Sequence, residues 1–239
     1  MPSADVVIRD LEIMAGAVHY RKWIYSQFSP YLGQRIIEVG AGTGNFTELF
    51  LDRELVVALD SYLPCIEYLK QKFIHNHNVV PVQMDISDPA ITDLDRYAPD
   101  TIVCINVLEH VQDDGAALSN MFKILTRGGT LALLVPALPF LYGSIDRLVG
   151  HQRRYRKREL AEKLARAGFS VPGIYFMNSI AVPGWLLTGR ILKQREESPR
   201  QIKFYDTIVV PVLRRMESFI RPPFGLSLVV IAQKERDNE

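Results

Sequence analysis

Cysteine is scarce in this chain of 239 residues, which carries only Cys65 and Cys104. Two thiols cannot build a disulfide framework and match no zinc-ligand spacing. They fit a reducing compartment, and no metal is expected. An excess of one charge is lacking too. Lys and Arg total 28 against 27 Asp and Glu, a formal net charge of +1. That balance gives no electrostatic footprint for nucleic acid, so no such partner is expected. No apolar run approaches the ~18 residues of a membrane-crossing helix. The run 180–187 is short and is broken by Pro183 and Gly184. The opening residues carry Asp5, Asp10 and Glu12 and hold no apolar core of signal-peptide length. Together these absences predict a cytoplasmic protein. Internal repeats and low-complexity tracts are also missing.

What remains is an ordinary globular composition, with 48% hydrophobic and 23% charged residues. It predicts a single domain over 1–239. Residues 11–28 have loosely helical apolar spacing, and Pro30 ends them. This gives an N-terminal helical cap over 1–30. Short apolar runs at 35–39, 55–59, 79–82, 101–107 and 130–135 read as buried strands. Helical patterns closing at 49–51 and spanning 62–73 and 116–125 alternate with them. Continuous apolar strands alternating with helices predict a parallel sheet covered on both faces. A polar, basic loop follows at 143–155, then a helix at 157–167, a strand at 170–176 and a last strand at 224–233. Residues 178–223 are too long for a hairpin connection and hold two apolar helical patterns, 180–192 and 204–220. They predict a helical lid inserted before the last strand.

In such sheets the ligand lies beyond the carboxyl ends of the strands. The first strand runs into Glu38-Val-Gly40-Ala41-Gly42-Thr-Gly44-Asn45-Phe. Glycines there allow positive φ and close approach of backbone to a ligand. The third glycine comes one residue sooner than in the G-x-G-x-x-G dinucleotide pattern. Asp60 ends the second strand, where a carboxylate can accept from both ribose hydroxyls. Asp85 follows the third strand, where it can accept from an adenine amino group. An acid at one strand end is usually a solvated turn residue. Two at successive strand ends, beside a glycine loop, point to a nucleoside.

This set, with Asn106-Val-Leu-Glu-His110 after the fourth strand, resembles the class I S-adenosylmethionine (SAM)-dependent methyltransferases that act on small molecules. The resemblance implies a three-layer, Rossmann-like, doubly wound α/β sheet of seven strands, mostly parallel with a reversed last strand. It implies SAM as cofactor. Glu38, Gly40, Ala41, Gly42, Gly44 and Asn45 would cradle its methionine and sugar. Asp60 and Ser61 would hold the ribose, and Asp85 and Ile86 the adenine. Asn106 would lie beside the methionine moiety, with Glu109 and His110 bordering the reaction site. Tyr20 is a candidate for closing over the cofactor. The segment 142–155 resembles a subgroup linked to lipid, glycan or secondary-metabolite chemistry.

Methyl transfer needs an acceptor held in line, and a neutral hydroxyl also needs a base. His151 is the candidate base, Asp146 its orienting partner and His110 a second candidate. The plain alternative for each histidine is a structural loop residue. Tyr142, Arg153, Arg154 and Tyr155 are candidates for gripping an acidic acceptor, since cations at a helix N-terminus oppose its dipole. Their alternative is a solvated basic face with some arginines pairing to Asp146 or Glu159. Phe204, Ile208, Val212, Met216 and Phe219 fall near one helical face. They are expected to wall an apolar substrate pocket, with a membrane-surface or dimer role as the rivals. The expectation is therefore O-methylation of a small acidic or amphipathic acceptor by a monomer or homodimer, with room for peripheral membrane contact. A NAD-type oxidoreductase and a non-catalytic SAM-binding scaffold are the alternatives.

Overall fold

The computed structural model describes residues 16–187 and 199–235. Its elements run α1 (Val18–Phe28), β1 (Arg35–Val39), β2 (Leu55–Asp60), α2 (Leu63–Lys72), β3 (Val79–Gln83), β4 (Thr101–Ile105), α3 (Asp114–Ile124) and β5 (Thr130–Pro136). Then come α4 (Ser144–Leu148), α5 (Lys157–Arg166), β6 (Ser170–Met177), α6 (Ala181–Trp185), α7 (Pro199–Phe204), α8 (Val210–Phe219) and β7 (Ser227–Gln233). The seven strands form one sheet in the order β3-β2-β1-β4-β5-β7-β6. β1 pairs in parallel with β2 and β4, and β7 runs antiparallel to both β5 and β6. The expected sheet and its reversed last strand are both present.

Period-two alternation along each strand sorts its side chains to two faces. Ile37, Val57, Ile102, Leu131 and Leu133 meet α3 through Ala117, Leu118 and Met121, and α5 through Leu160 and Leu164. Ile36, Val56, Val103, Ala132 and Leu134 meet Trp23, Ile24 and Phe28 of α1, Ile66 and Leu69 of α2, and Val210 and Leu213 of α8. Both faces are therefore largely apolar, and the polar groups of the site gather at the carboxyl ends of the strands and in the loops that follow.

Three local expectations are corrected. The helix expected to close at 49–51 is only a 3-10 turn, Thr47–Phe50. The carbonyls of Leu51 and Arg53 are taken by the Asn78 side chain, which stops further winding. The 3-10 segment Pro89–Tyr97 was not expected and buries Ile91 and Leu94. Residues 143–155 are not a solvated loop: they include α4 and bury Asp146, Arg154 and Tyr155. Of the N-terminal cap, residues 1–15 lie outside the described residues.

The helical segment beginning at Pro199 continues through a π-helical stretch, Tyr205–Val209, into α8. Asp206 is buried and accepts from the His19 and Tyr20 backbone N–H groups at 3.2 and 2.8 Å. It thus satisfies two first-turn donors of α1 that have no partner inside the helix. Glu217 does the same for Asn178 and Ser179, at 3.0 and 2.9 Å. The apolar stripe faces the other way. Phe204, Ile208, Val212, Met216, Phe219 and Ile220 are all exposed, so the stripe does not wall a pocket as expected. Its periodicity was helical, but the inward face is set by Asp206, Val210, Leu213 and Glu217.

Candidate active site

The glycine loop leaves β1 with Gly40, Gly42 and Gly44 at φ +74°, +54° and +77°. A Cβ on Gly40 would sit 2.2 Å from Val107 Cγ2, so the loop also needs glycine for its close approach to the turn after β4. Backbone N–H groups of Gly40 and Ala41 both donate to the Leu59 carbonyl. Two long cations hold the loop from outside. Arg21 donates to the Asn45 carbonyl at 2.9 Å, and Lys72 to the Thr43 carbonyl at 2.9 Å. Both also pair with Glu48.

Asp60 stands beside this loop at the end of β2. Its Oδ2 accepts the Gly42 N–H at 2.8 Å and its Oδ1 the Tyr62 N–H at 2.9 Å. Each oxygen of an ionised carboxylate keeps a further lone pair, so it can still accept from a diol. Ser61 is exposed next to it. On the neighbouring strand, Met84 donates its N–H to the Asp60 carbonyl, which brings Asp85 to the same rim. Asp85 is exposed and accepts from the Ser87 N–H and hydroxyl. Ile86 is buried, and its carbonyl is held by Asn120. Asn106 is exposed at φ +53°, a left-handed turn that asparagine tolerates. Tyr20 is half-buried and meets Trp23 edge-on. Glu38 lies beneath the loop, 4% exposed, and accepts the Thr47 hydroxyl at 2.5 Å. Burial pushes its carboxyl up to about 8, against the opposing hydrogen bond from Thr47. The site fits a nucleoside with an attached amino acid: two accessible carboxylates at adjacent strand ends that can accept further hydrogen bonds, beside a turn whose glycines let the backbone approach a ligand closely.

Beyond β4 and β5 lies a second cluster. His151 Nδ1 is 2.9 Å from Asp146 Oδ1, and Asp146 Oδ2 accepts the Gly143 N–H at 2.9 Å. Arg154 Nε donates to the same Oδ1 at 2.7 Å. The other nitrogen of His151 faces Glu109, with Nε2 to Oε1 at 3.6 Å. The His110 and His151 rings meet edge-on, 4.7 Å between centroids. Ligating atoms of Glu109, His110 and His151 lie within 4.8 Å of one another. Glu109 is fully buried, and among the described residues no side-chain partner hydrogen-bonds either oxygen. Burial pushes its carboxyl up to about 8, with the Arg154 charge opposing. His110 is exposed at the rim of the cluster, yet partial burial of its ring lowers its pKa, and the neighbouring His151 adds to the effect. Burial alone would raise Asp146, but the bonds from His151 and the charge of Arg154 hold it below the usual carboxylate range.

The four acceptor-grip candidates are placed differently from one another. Tyr142 donates its hydroxyl to the His151 carbonyl at 2.8 Å, so it borders the cluster. Arg153 pairs with Asp114 at 2.9 Å and donates to the Gln112 carbonyl. Arg154 is buried, stacks on Trp185 and donates to the Ala137 carbonyl. Tyr155 is a core residue, with its hydroxyl on Asp114 and the Leu108 carbonyl. The basic run is thus not a solvated face, and Arg154 and Tyr155 are occupied inside the protein. Sequence reasoning missed Trp185 and the Asp114 anchor. The pairing of Arg154 with Asp146 was one of the expected alternatives, whereas the pairing of Arg153 and Tyr155 with Asp114 has no local signal.

A mixed seven-stranded sheet with a glycine turn after β1 and acids after β2 and β3 defines a methyltransferase fold. The family model described as "Methyltransferase domain" matches residues 19–172, and the chain belongs to this SAM-dependent family. Among curated proteins it is similar to the ubiquinone/menaquinone biosynthesis C-methyltransferase UbiE of Vibrio parahaemolyticus, with 30% identity over 54% of this chain and 52% of that protein. The chain therefore spans about half the length of that relative. Its fold resembles a Haloferax volcanii protein solved in complex with a methyltransferase activator (TM-score 0.67, 14% identity, 98% of this chain and 96% of that one). It also resembles a SAM-dependent methyltransferase of Archaeoglobus fulgidus (TM-score 0.57, 18% identity, 91% and 93%).

Proposed function

We propose that this chain binds SAM on residues 40–44, Asp60 and Asp85 and methylates an oxygen of a small acidic or amphipathic acceptor. SAM would supply an electrophilic methyl carbon on a sulfonium, and the protein's part is orientation and proton removal. The observation that carries the oxygen assignment is the Asp146–His151 pair at 2.9 Å. Nδ1 committed to the carboxylate leaves Nε2 as the nitrogen that takes a proton. Asp146 positions the ring and balances the imidazolium that forms. His110 packs against that ring and limits its rotation. Tyr142 holds the backbone of His151, and Arg153, partly exposed and already paired with Asp114, is the cation that an acidic group on the acceptor would share. No metal is invoked, because the Arg154 guanidinium already places a positive charge beside Asp146 and Glu109.

The deciding test is calorimetric titration with SAM and with NAD, followed by transfer of labelled methyl from SAM to candidate hydroxyl and carboxylate acceptors. SAM binding with oxygen-linked label supports the reading. NAD binding without SAM binding overturns it, as would label on carbon alone. A chelator that abolishes transfer, with recovery on adding a divalent cation, would assign Glu109, His110 and His151 to a metal instead.

A further inference from the structure

We infer that the outward face of residues 202–224 is a docking surface for an anionic lipid bilayer. Scattered exposed apolar residues are normal, but a contiguous set marks an interaction surface. Here Phe204, Ile208, Val212, Met216, Phe219 and Ile220 are 62, 56, 57, 57, 78 and 76% exposed along one helical segment. Burying them away from water is favourable in proportion to their apolar area, and nothing in the described fold does so.

Charge decides the occupant. Among the described side chains of 202–224, the exposed charged residues are Lys203, Arg214, Arg215 and Arg221. The two acids of the segment are turned inward, Asp206 onto the start of α1 and Glu217 onto Asn178 and Ser179. The outward face is thus apolar and wholly cationic, as in helices that lie in the headgroup plane of anionic membranes. A two-fold pairing with a second copy would set this cationic face against itself. At the base of α8, Arg214 and Arg221 line a cleft of about 300 Å³ with Ser26, Gln27, Ser218 and Glu217, whose carboxylate is taken up by the Asn178 and Ser179 N–H groups. It includes none of the cofactor or catalytic candidates, and its donors suit a phosphate headgroup. Leu186 and Leu187 are exposed just after Trp185, whose ring lies 4.7 Å from the Arg154 guanidinium behind Asp146.

The test is flotation of the full chain with vesicles of phosphatidylcholine alone and with added phosphatidylglycerol, at low and high salt. Binding should require the anionic lipid and weaken with salt. Arg214→Gln with Arg215→Gln should weaken it about thirtyfold, and Val212→Glu with Met216→Glu should abolish it. All four positions are exposed, so melting temperature and SAM affinity should stay unchanged. Failure here is thereby separable from failure of the methyl-transfer reading. The inference is overturned if the chain ignores anionic vesicles. It is equally overturned if these variants bind as well as the parent, or if the glutamate variants instead split a dimer seen by light scattering. Binding that free inorganic phosphate competes away, with the apolar stripe irrelevant, would assign the cleft to a soluble anion and overturn it too.

Discussion

Arg154 Nε lies 2.7 Å from Asp146 Oδ1, the same oxygen that meets His151 Nδ1 at 2.9 Å. One buried carboxylate oxygen therefore serves a structural cation and the proposed base together. Anything that removes its charge strikes stability and chemistry in one step.

Asp146→Asn leaves Arg154 buried without a counter-charge. Breaking such a pair costs about 3–5 kcal/mol, or roughly 6–20 °C in melting temperature for a domain of this size. The acid limb of the stability profile should move as well. Asp146 is held below its ordinary range, so its contribution is present above the unfolded carboxylate pKa and is lost as pH falls through the lower folded value. Thermal melts of the parent and variant across acid pH should converge. Parallel curves would count against this account.

His151→Ala should reduce turnover by about 10²–10⁴-fold and leave SAM affinity as it was. Single-turnover kinetics beside calorimetry separates the two quantities. If the variant turns over normally, the histidine is not the proton acceptor.

Asp60→Ala should weaken SAM at least about tenfold, a change of about 1.4 kcal/mol. The carboxylate also holds the Gly42 and Tyr62 N–H groups, so loop order falls with affinity. Unchanged affinity by calorimetry would falsify the ribose assignment.

Glu109→Gln tests the buried carboxyl. Its folded pKa is raised to about 8, so the folded state keeps a proton that the unfolded chain releases above about 4.3. Stability should then decline by up to about 1.4 kcal/mol per pH unit between those values. The variant cannot ionise there, so its melting temperature should gain on the parent as pH rises from 6 to 8. An equal offset at both pH values would mean that Glu109 does not carry this penalty.

The sheet was legible because its strands are buried on both faces and read as unbroken apolar runs. Asp60 and Asp85 were legible because the carboxyl ends of such strands are where ligands sit. The short turn at Thr47–Phe50 was not, since Asn78 arrests it from far along the chain. The run Arg153-Arg154-Tyr155 read as either a surface grip or a face with arginines on Asp146; the second holds for Arg154, while Asp114 is brought to Arg153 and Tyr155 only by the fold. Likewise the spacing of Phe204, Ile208 and Val212 specified a helix but not its orientation. Two carboxylates seeking backbone N–H groups turned that stripe outward.

Glu48 clips both Arg21 and Lys72, and those two cations hold the carbonyls of Asn45 and Thr43. The turn of 40–44 is thus held in shape by contacts within the protein. The entropic cost of ordering it falls on folding rather than on binding. Loosening the clip, without touching any ligand-facing atom, should shift the loss of cofactor affinity into entropy and slow its capture.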